Sequence, residues 1–396
     1  MASHATLPPL TIAHVITSLG IGGLERVVLD LVVAQRKAGH EVYVVVLNDG
    51  EGPLREAFRA AADGLVAFPK REVGVDPSLV GRLARWLRAK RVRVVHTHNN
   101  SPLTYGAPAG KLAGAAVVHS KHGEHRAIGR QMWLRRLAAT ATDAYVAVSP
   151  TTAAFAREHR ECTETKLEVI PNGTDLSRFP APAEAAAAAR ASLGLAAGAR
   201  VIGTVGRMVP EKNHALLLRA AAPLLGPETK LVIVGDGPLR AGLEAQRAAL
   251  PNAEHVVFAG MRRDVPDLLA ALDVFVLSSA TEGLPVVLLE AMASRLPVVS
   301  TAVGGIPDVV HAGTGVLVPP HDEAALREAV AGLLADPERA RGLGERARAT
   351  ALETMSVDRM AEAYAALYRR VLGRGRRGGA GAGRSFGPDA PSTPPP

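Results

Sequence analysis

The 396-residue chain has one cysteine, Cys162, so neither a disulfide framework nor a cysteine-rich zinc site can support it. Aromatic residues make up only 4% of it, which leaves its core to aliphatic side chains. No apolar run approaches the ~18 to 20 residues of a membrane span, and stretches such as Val42–Leu47 are strand-sized. Met1 to Leu10 lacks the basic start, apolar centre and small cleavage residues of a secretory signal. No repeat of fixed period is visible, and no aromatic-rich strand motif or recognition helix accompanies the basic residues. With 47% apolar and 21% charged residues the chain is not disordered, and its length suits two to three domains at roughly 150 residues each. A multi-domain, cytoplasmic enzyme is the expectation.

The net charge of +8 is unevenly spread. Residues 1–178 carry 23 Lys/Arg against 16 Asp/Glu, residues 179–372 carry 19 against 21, and residues 373–396 carry 4 against 1. Arginine supplies 38 of the 46 basic residues, so composition alone accounts for part of the excess. A basic first half still suits an anionic partner, and in the absence of a nucleic-acid motif an anionic membrane surface is the one expected.

Short β-branched runs alternate with longer helical patterns in both halves, the signature of βαβ units and mostly parallel sheets. Strands are expected at Ile12–Thr17, Val42–Leu47, Val92–His96, Ala116–Ser120, Ala144–Val148 and Leu167–Ile170. In the second half they are expected at Val201–Val205, Leu231–Val234, His255–Phe258, Val274–Leu277, Val298–Ser300 and Val316–Val318. Pro171–Leu195, with its prolines and alanine run, reads as the connection between halves. Ser356–Leu372 reads as a helix, and the low-complexity residues 373–396 as a disordered tail. Two such α/β domains facing each other leave a cleft at the carboxyl ends of their strands, where ligands bind in these folds.

Three stretches carry chemistry. Gly20-Ile21-Gly22-Gly23-Leu24-Glu25 follows the first strand and opens a helix, so backbone amides can approach an anion there. Glu25 stands where a dinucleotide fingerprint needs its third glycine, and no Walker lysine follows. Arg207 and Lys212 sit just past the Val201–Val205 strand, where two cations can neutralise a diphosphate. Thr281-Glu282-Gly283-Leu284-Pro285-Val286-Val287-Leu288-Leu289-Glu290 predicts a helix from near Pro285 to about Ser294. Its side chains tilt toward the N-terminus, so Glu282 and Glu290 can both reach the space above the helix start. A phosphate held on the first amides, with a polyol on each carboxylate, would match. A dipole-serving Glu282 and a Glu290 buried against an arginine is the other reading.

With these motifs in order, the sequence resembles the retaining glycosyltransferases of family 4, which have the GT-B fold of two facing Rossmann-like domains. Pro171-Asn172-Gly173-Thr174-Asp175, Gly235-Asp236-Gly237-Pro238 and Gly304-Gly305-Ile306-Pro307 fit the same family over about residues 10–372. Asp308 stands where many members have Glu. The resemblance implies an acceptor-side domain at 1–178, a nucleotide-sugar domain at 179–355 and a helix at 356–372 returning to the first domain. It implies that Arg207 and Lys212 bind the donor diphosphate, that Glu290 takes the ribose, and that Glu282 with Gly283, Leu284, Pro285, Val286 and Val287 holds the sugar. Gly22 and Gly23 would close over the phosphate, Asn172 would belong to the donor site, and His122 would hydrogen-bond the donor sugar. Catalysis would then rest on His122, Glu282, Arg207 and Lys212, through same-face attack in which the leaving phosphate takes the acceptor's proton.

The resemblance implies no obligatory cofactor or metal. His96 and His98 share a strand face and His119, His122 and His125 recur every third residue, but no carboxylate or cysteine set completes a metal site. The donor expected first is a UDP-sugar, with GDP-mannose second. The acceptor is expected to be a sugar or lipid-linked chain in cell-surface polysaccharide or glycolipid synthesis; a small soluble acceptor and a GT-B epimerase are the alternatives. Arg126–Leu137 with Trp133, and Val80–Arg93 with Trp86, interleave arginines with the only two tryptophans. Both are expected to lie at the inner face of the plasma membrane as peripheral contacts.

Overall fold

The structure is a computed structural model and describes residues 8–70, 76–123, 129–181 and 183–379, with side chains to 374. Seven parallel strands form the first sheet: β1 (Thr11–Ile16), β2 (Glu41–Val46), β3 (Gly64–Ala67), β4 (Val94–His98), β5 (Ala116–Lys121), β6 (Ala144–Ala147) and β7 (Leu167–Val169). Six more form the second: β8 (Arg200–Val205), β9 (Thr229–Val234), β10 (Val256–Gly260), β11 (Val274–Leu277), β12 (Val298–Thr301) and β13 (Val316–Val318). The spatial orders are β3-β2-β1-β4-β5-β6-β7 and β10-β9-β8-β11-β12-β13. Strands buried on both faces explain the unbroken Val/Ile runs that stood out in the sequence. The fully buried Val44, Val45 and Val46 of β2 show the pattern.

Every expected strand exists, with edges shifted by up to two residues. The one missed is β3, four residues opened by Gly64 and half-buried at the sheet edge, too short and too glycine-led to register as a run. The proposed connection after Pro171 is more structured than expected, since its alanine run forms the helix Ala183–Ser192. The last helix, Val357–Gly379, runs into the segment expected to be disordered. Residues 380–396 lie outside the described part.

That helix does not pack on the second sheet. Met360, Tyr364, Leu367, Tyr368 and Val371 join Ile12, Val94, Val118 and Val146 in one buried cluster on the first sheet. Burying such side chains is worth roughly 1.5–3 kcal/mol each. This last described helix is therefore clamped to the lobe that holds β1. Thr174 adds a parallel bridge to Ser356 where the two inter-lobe crossings meet.

Strand order reverses between β1 and β4 in the first sheet and between β8 and β11 in the second. In open α/β sheets ligands bind outside the carboxyl ends of the strands at such a reversal. The segments leaving β1, β4, β8 and β11 are Thr17–Gly22, Asn99, Gly206–Lys212 and Ser278–Gly283, so topology delivers the motif residues to facing edges of one cleft.

Candidate active site

Two helix starts face each other across the cleft. The helix Gly23–Lys37 is capped by Gly22, and the helix Val286–Ala293 by Pro285. A Cβ built on Gly23 would sit 3.4 Å from Val286 Cγ2 and 3.9 Å from the Val286 amide nitrogen. Any larger side chain at position 23 would crowd the opposite helix start. The first amides of each helix have no preceding turn to bond and carry partial positive charge, so an anion between them meets donors from both lobes. The expected helix boundaries at Pro285 and Ser294 hold, since these two residues are its caps.

On the second lobe Lys212 Nζ lies 2.5 Å from Glu282 Oε1, and Ser279 Oγ donates to the same oxygen at 2.6 Å. The residues expected to divide between diphosphate and sugar are thus each other's partners. Ser278 pins the Lys212 loop by donating to the carbonyls of Lys212 and Asn213. Arg207 is exposed at the cleft edge. Its charge reaches Glu25 of the other lobe, whose carboxyl is pushed up by burial and pulled back by hydrogen bonding, including Ser18, and by Arg207. Gly235, at φ +133°, packs so tightly on Gly206 that a Cβ would collide with its carbonyl oxygen, which explains the glycine of Gly235–Pro238.

Glu290 is buried, and burial pushes its carboxyl up to about 7 against the fields of Arg178 and Arg26, with Asp30 adding to the rise. No described side chain hydrogen-bonds its carboxylate, so the acid waits in the cleft without a bonded partner. Asp30 itself is consumed structurally: it accepts from Arg26 Nε (3.2 Å), Thr174 Oγ1 (2.7 Å) and the Asp175 amide (3.1 Å). The Pro171–Asp175 segment thereby ties the first helix to the crossing between lobes.

Asn172 donates from Nδ2 to the Leu284 carbonyl at 3.0 Å, and Gly283 packs so close to the His122 carbonyl that no Cβ fits. Asp308 accepts from the amide and hydroxyl of Thr151 at 3.4 and 3.3 Å, so the aspartate found in place of glutamate bonds across the lobes. Glu124–Ile128 lie outside the described residues, including His125 and the first part of the basic Arg126–Leu137 stretch.

His122 is the end of a larger assembly that sequence reasoning missed. Its Nε2 lies 3.1 Å from His98 Nδ1, His98 Nε2 lies 2.9 Å from His14 Nδ1, and His14 Nε2 lies 2.8 Å from Gln35 Oε1. Gln35 Nε2 then donates to Tyr368 Oη, which lies 2.8 Å from His96 Nδ1. Burial holds His14 and His122 down at about 4, with Gln35 and Asn172 respectively raising them, and pushes His96 and His98 well below the ordinary range. His14, His96 and His98 also bring ring nitrogens within 4.8 Å of one another, a spacing a metal could use. Their ring nitrogens are already spent on Gln35, Tyr368, Ser120 and each other's rings, with His98 Nδ1 on His122. The sequence signal was the alternation of His96 and His98; His14 and Gln35 gave none.

The two tryptophans part company. Trp86 packs edge-on against Tyr43 and Phe68, with centroids 5.4 and 6.0 Å away, so the expectation that it meets a bilayer is corrected. Trp133 is 61% exposed, as are Leu137 (53%) and Leu112 (57%). Arg135, from the same helix, is buried 3.9 Å from Glu161 and cannot serve as a surface cation.

Family models match on both lobes: Glycosyltransferase Family 4 over residues 21–178 and Glycosyl transferases group 1 over residues 186–350. The chain is also 34% identical to a GDP-mannose-dependent alpha-(1-6)-phosphatidylinositol monomannoside mannosyltransferase of Mycolicibacterium smegmatis, over 84% of this chain and 91% of that protein. The chain belongs to the group 1 glycosyltransferases. It is 34% identical to a D-inositol 3-phosphate glycosyltransferase of Nocardia farcinica over 76% of this chain and 67% of that one. Among solved structures, Anabaena HepE in complex with UDP-glucose shares the fold with a TM-score of 0.80 at 22% identity, covering 92% of this chain and all of that one. The group 1 glycosyltransferase described here thus has the GT-B fold, and its cleft is the one formed by the two strand reversals.

Proposed function

We propose that this glycosyltransferase moves a hexose from a nucleoside-diphosphate donor to a hydroxyl of a lipid-linked or polysaccharide acceptor, with retention of anomeric configuration. The observation that carries it is the pair of facing helix starts, with Gly23 against Val286, beside Arg207 and Lys212. A diphosphate between them would take amides from both lobes and cations from one. The leaving diphosphate's charge would be met by groups already in place, which is where such sites gain most of their rate. Glu290, without a hydrogen-bonded partner, supports a ribose diol as its ligand. Glu282 would reach the sugar once Lys212 turns from it to phosphate. Among the described residues no activated nucleophile stands near, which favours same-face attack with the leaving phosphate accepting the acceptor's proton; positioning and electrostatics would do the rest.

For the donor, likeness to the GDP-mannose-dependent relative supports GDP-mannose alongside the UDP-sugar expected first from sequence. For the acceptor, the exposed Leu112, Trp133 and Leu137, with Arg136 exposed beside them, support a shallow contact with an anionic membrane carrying a lipid-linked sugar. No helix among the described residues is long and apolar enough to cross a membrane. The test is thermal shift against GDP, UDP and ADP and their sugars. A ligand at 100 times its Kd adds roughly 2.7 kcal/mol of stability, and one donor should do so in wild type but not in Lys212→Ala. If no nucleotide or nucleotide sugar stabilises wild type, the donor reading fails.

A further inference from the structure

The chain Tyr364–Ser120–His96–Tyr368–Gln35–His14–His98–His122 threads the first lobe from the C-terminal helix to the cleft. Its links are 2.7, 2.7, 2.8, 3.3, 2.8, 2.9 and 3.1 Å. It ends at His122 Nδ1, a buried atom with no partner at hydrogen-bond distance, though the Asn172 side chain acts on the same ring as a hydrogen-bonding group. A buried polar atom left so costs roughly 1–3 kcal/mol, so its lone position calls for a reason.

A neutral imidazole has one N–H and one lone pair, so a chain of them must run in one direction. Gln35 sets that direction. Its Nε2 donates to Tyr368 Oη, which leaves only Oε1, an acceptor, for His14. His14 must then donate from Nε2 and accept at Nδ1. His98 donates to it from Nε2 and accepts at its own Nδ1. His122 donates from Nε2 to His98, and its Nδ1 keeps the lone pair. On the other side Tyr368 donates to His96 Nδ1, and His96 Nε2 donates to Ser120, so each link has one donor and one acceptor. The reverse polarity would require the Gln35 amide to flip and three imidazoles to exchange tautomers together.

We propose that Gln35, His14 and His98 are positioning residues that hold His122 in the Nε2–H tautomer, presenting Nδ1 to the cleft as a hydrogen-bond acceptor for a hydroxyl of the bound sugar. Tyr368 completes the device by holding the Gln35 amide. A site so arranged discriminates: a hydroxyl that donates is accepted, whereas a ligand group that only accepts meets a lone pair. The sugar half of this inference rests on the donor reading above; the tautomer does not.

The test is histidine side-chain nitrogen NMR on the full chain without ligand. The expected result is a protonated-type Nε2 and an unprotonated-type Nδ1 for His122, His98 and His14. Gln35→Met removes the fixed acceptor and should give His122 a mixture of tautomers, with Tyr368→Phe a milder variant that keeps the rings in place. A wild-type His122 protonated at Nδ1 overturns the proposal, even if neither variant folds. So does a His122 tautomer unchanged in a folded Gln35→Met protein. Binding then separates the two readings. Gln35→Met should leave the Kd for free nucleoside diphosphate unchanged and weaken the sugar donor about tenfold, the worth of one hydrogen bond. An equal loss for both ligands would make Gln35 merely structural and overturn the positioning role. If wild type binds neither, the donor reading falls while the tautomer result stands.

Discussion

The two lobes meet the same cleft with opposite materials. The second lobe offers charge: Lys212, Glu282 and Arg207, close to the surface or held by one or two bonds, and Glu290, buried with no described side chain bonded to it. The first offers neutral imidazoles, fully buried except at His122, and bonded in series through Gln35 to a helix more than 200 residues away in sequence. A charged site can exchange partners when a polyanion arrives. A chain of neutral rings cannot, so it suits a task in which geometry and proton position must be fixed beforehand.

The largest expected effect comes from pH, which separates the lobes by sign. His14 and His122 sit at about 4 when folded against 6.5 when free. Between those values the unfolded chain binds more protons, so stability is full above pH 6.5 and falls as pH drops toward 4. Each ring accounts for up to about 3 kcal/mol over that window. Glu290, at about 7 against 4.5, does the reverse: the folded form holds its proton longer, and stability is lost as pH rises from 4.5 to 7. Denaturant titrations of wild type and His14→Gln at pH 7.5 and 4.5 should show the acid sensitivity shrinking in the variant. An unchanged slope would mean the imidazole is charged when folded.

Next in size is Lys212→Ala. It removes the cation beside the proposed diphosphate and leaves Glu282 unpaired, so turnover should drop about 10²- to 10³-fold, as when other transition-state charge partners are removed. Calorimetry with nucleoside diphosphate reads the binding share of that loss. Tight binding to the variant would shift the weight to Arg207 and the helix amides.

Glu290→Gln sharpens the contrast from the other side. At pH 8 the variant should be more stable by about 1–3 kcal/mol, since no charge is buried, while at pH 4 the gain disappears. Donor binding should weaken in parallel. A variant no more stable at pH 8 would show that Arg26 and Arg178 neutralise Glu290 fully.

The contrast between lobes also explains what could be read from the sequence. Glu282 through Glu290 lie within one loop and one helix, so spacing alone placed both carboxylates beside the helix start. The strand pattern was legible for the same local reason, and β3 was lost because four half-buried residues led by Gly64 carry no period. The imidazole chain draws His14, Gln35, His98, His122 and Tyr368 from five separate segments. Nothing in their spacing marks them as neighbours, because only sheet order, with β1 between β2 and β4 and the last helix laid across it, brings them together. The ion pair of Lys212 with Glu282 escaped notice for a different reason, since a ligand-based reading assigned each to a partner not present in the folded chain.

The smallest effect concerns the surface. Trp133 and Leu137 project into solvent from the helix Arg130–Thr140, whereas Trp86 of the companion stretch is locked against Tyr43. Trp133→Ala with Leu137→Ala should leave stability within about 0.5 kcal/mol, because exposed side chains contribute little to the fold. Binding to anionic vesicles should fall about tenfold, since burying even part of two large apolar side chains is worth more than 1.4 kcal/mol. Arg135 must be left in place, as removing it would strand Glu161 and mimic a binding defect by loosening the helix. Vesicle binding equal to wild type would take the membrane contact away from this helix while leaving both halves of the cleft as they are.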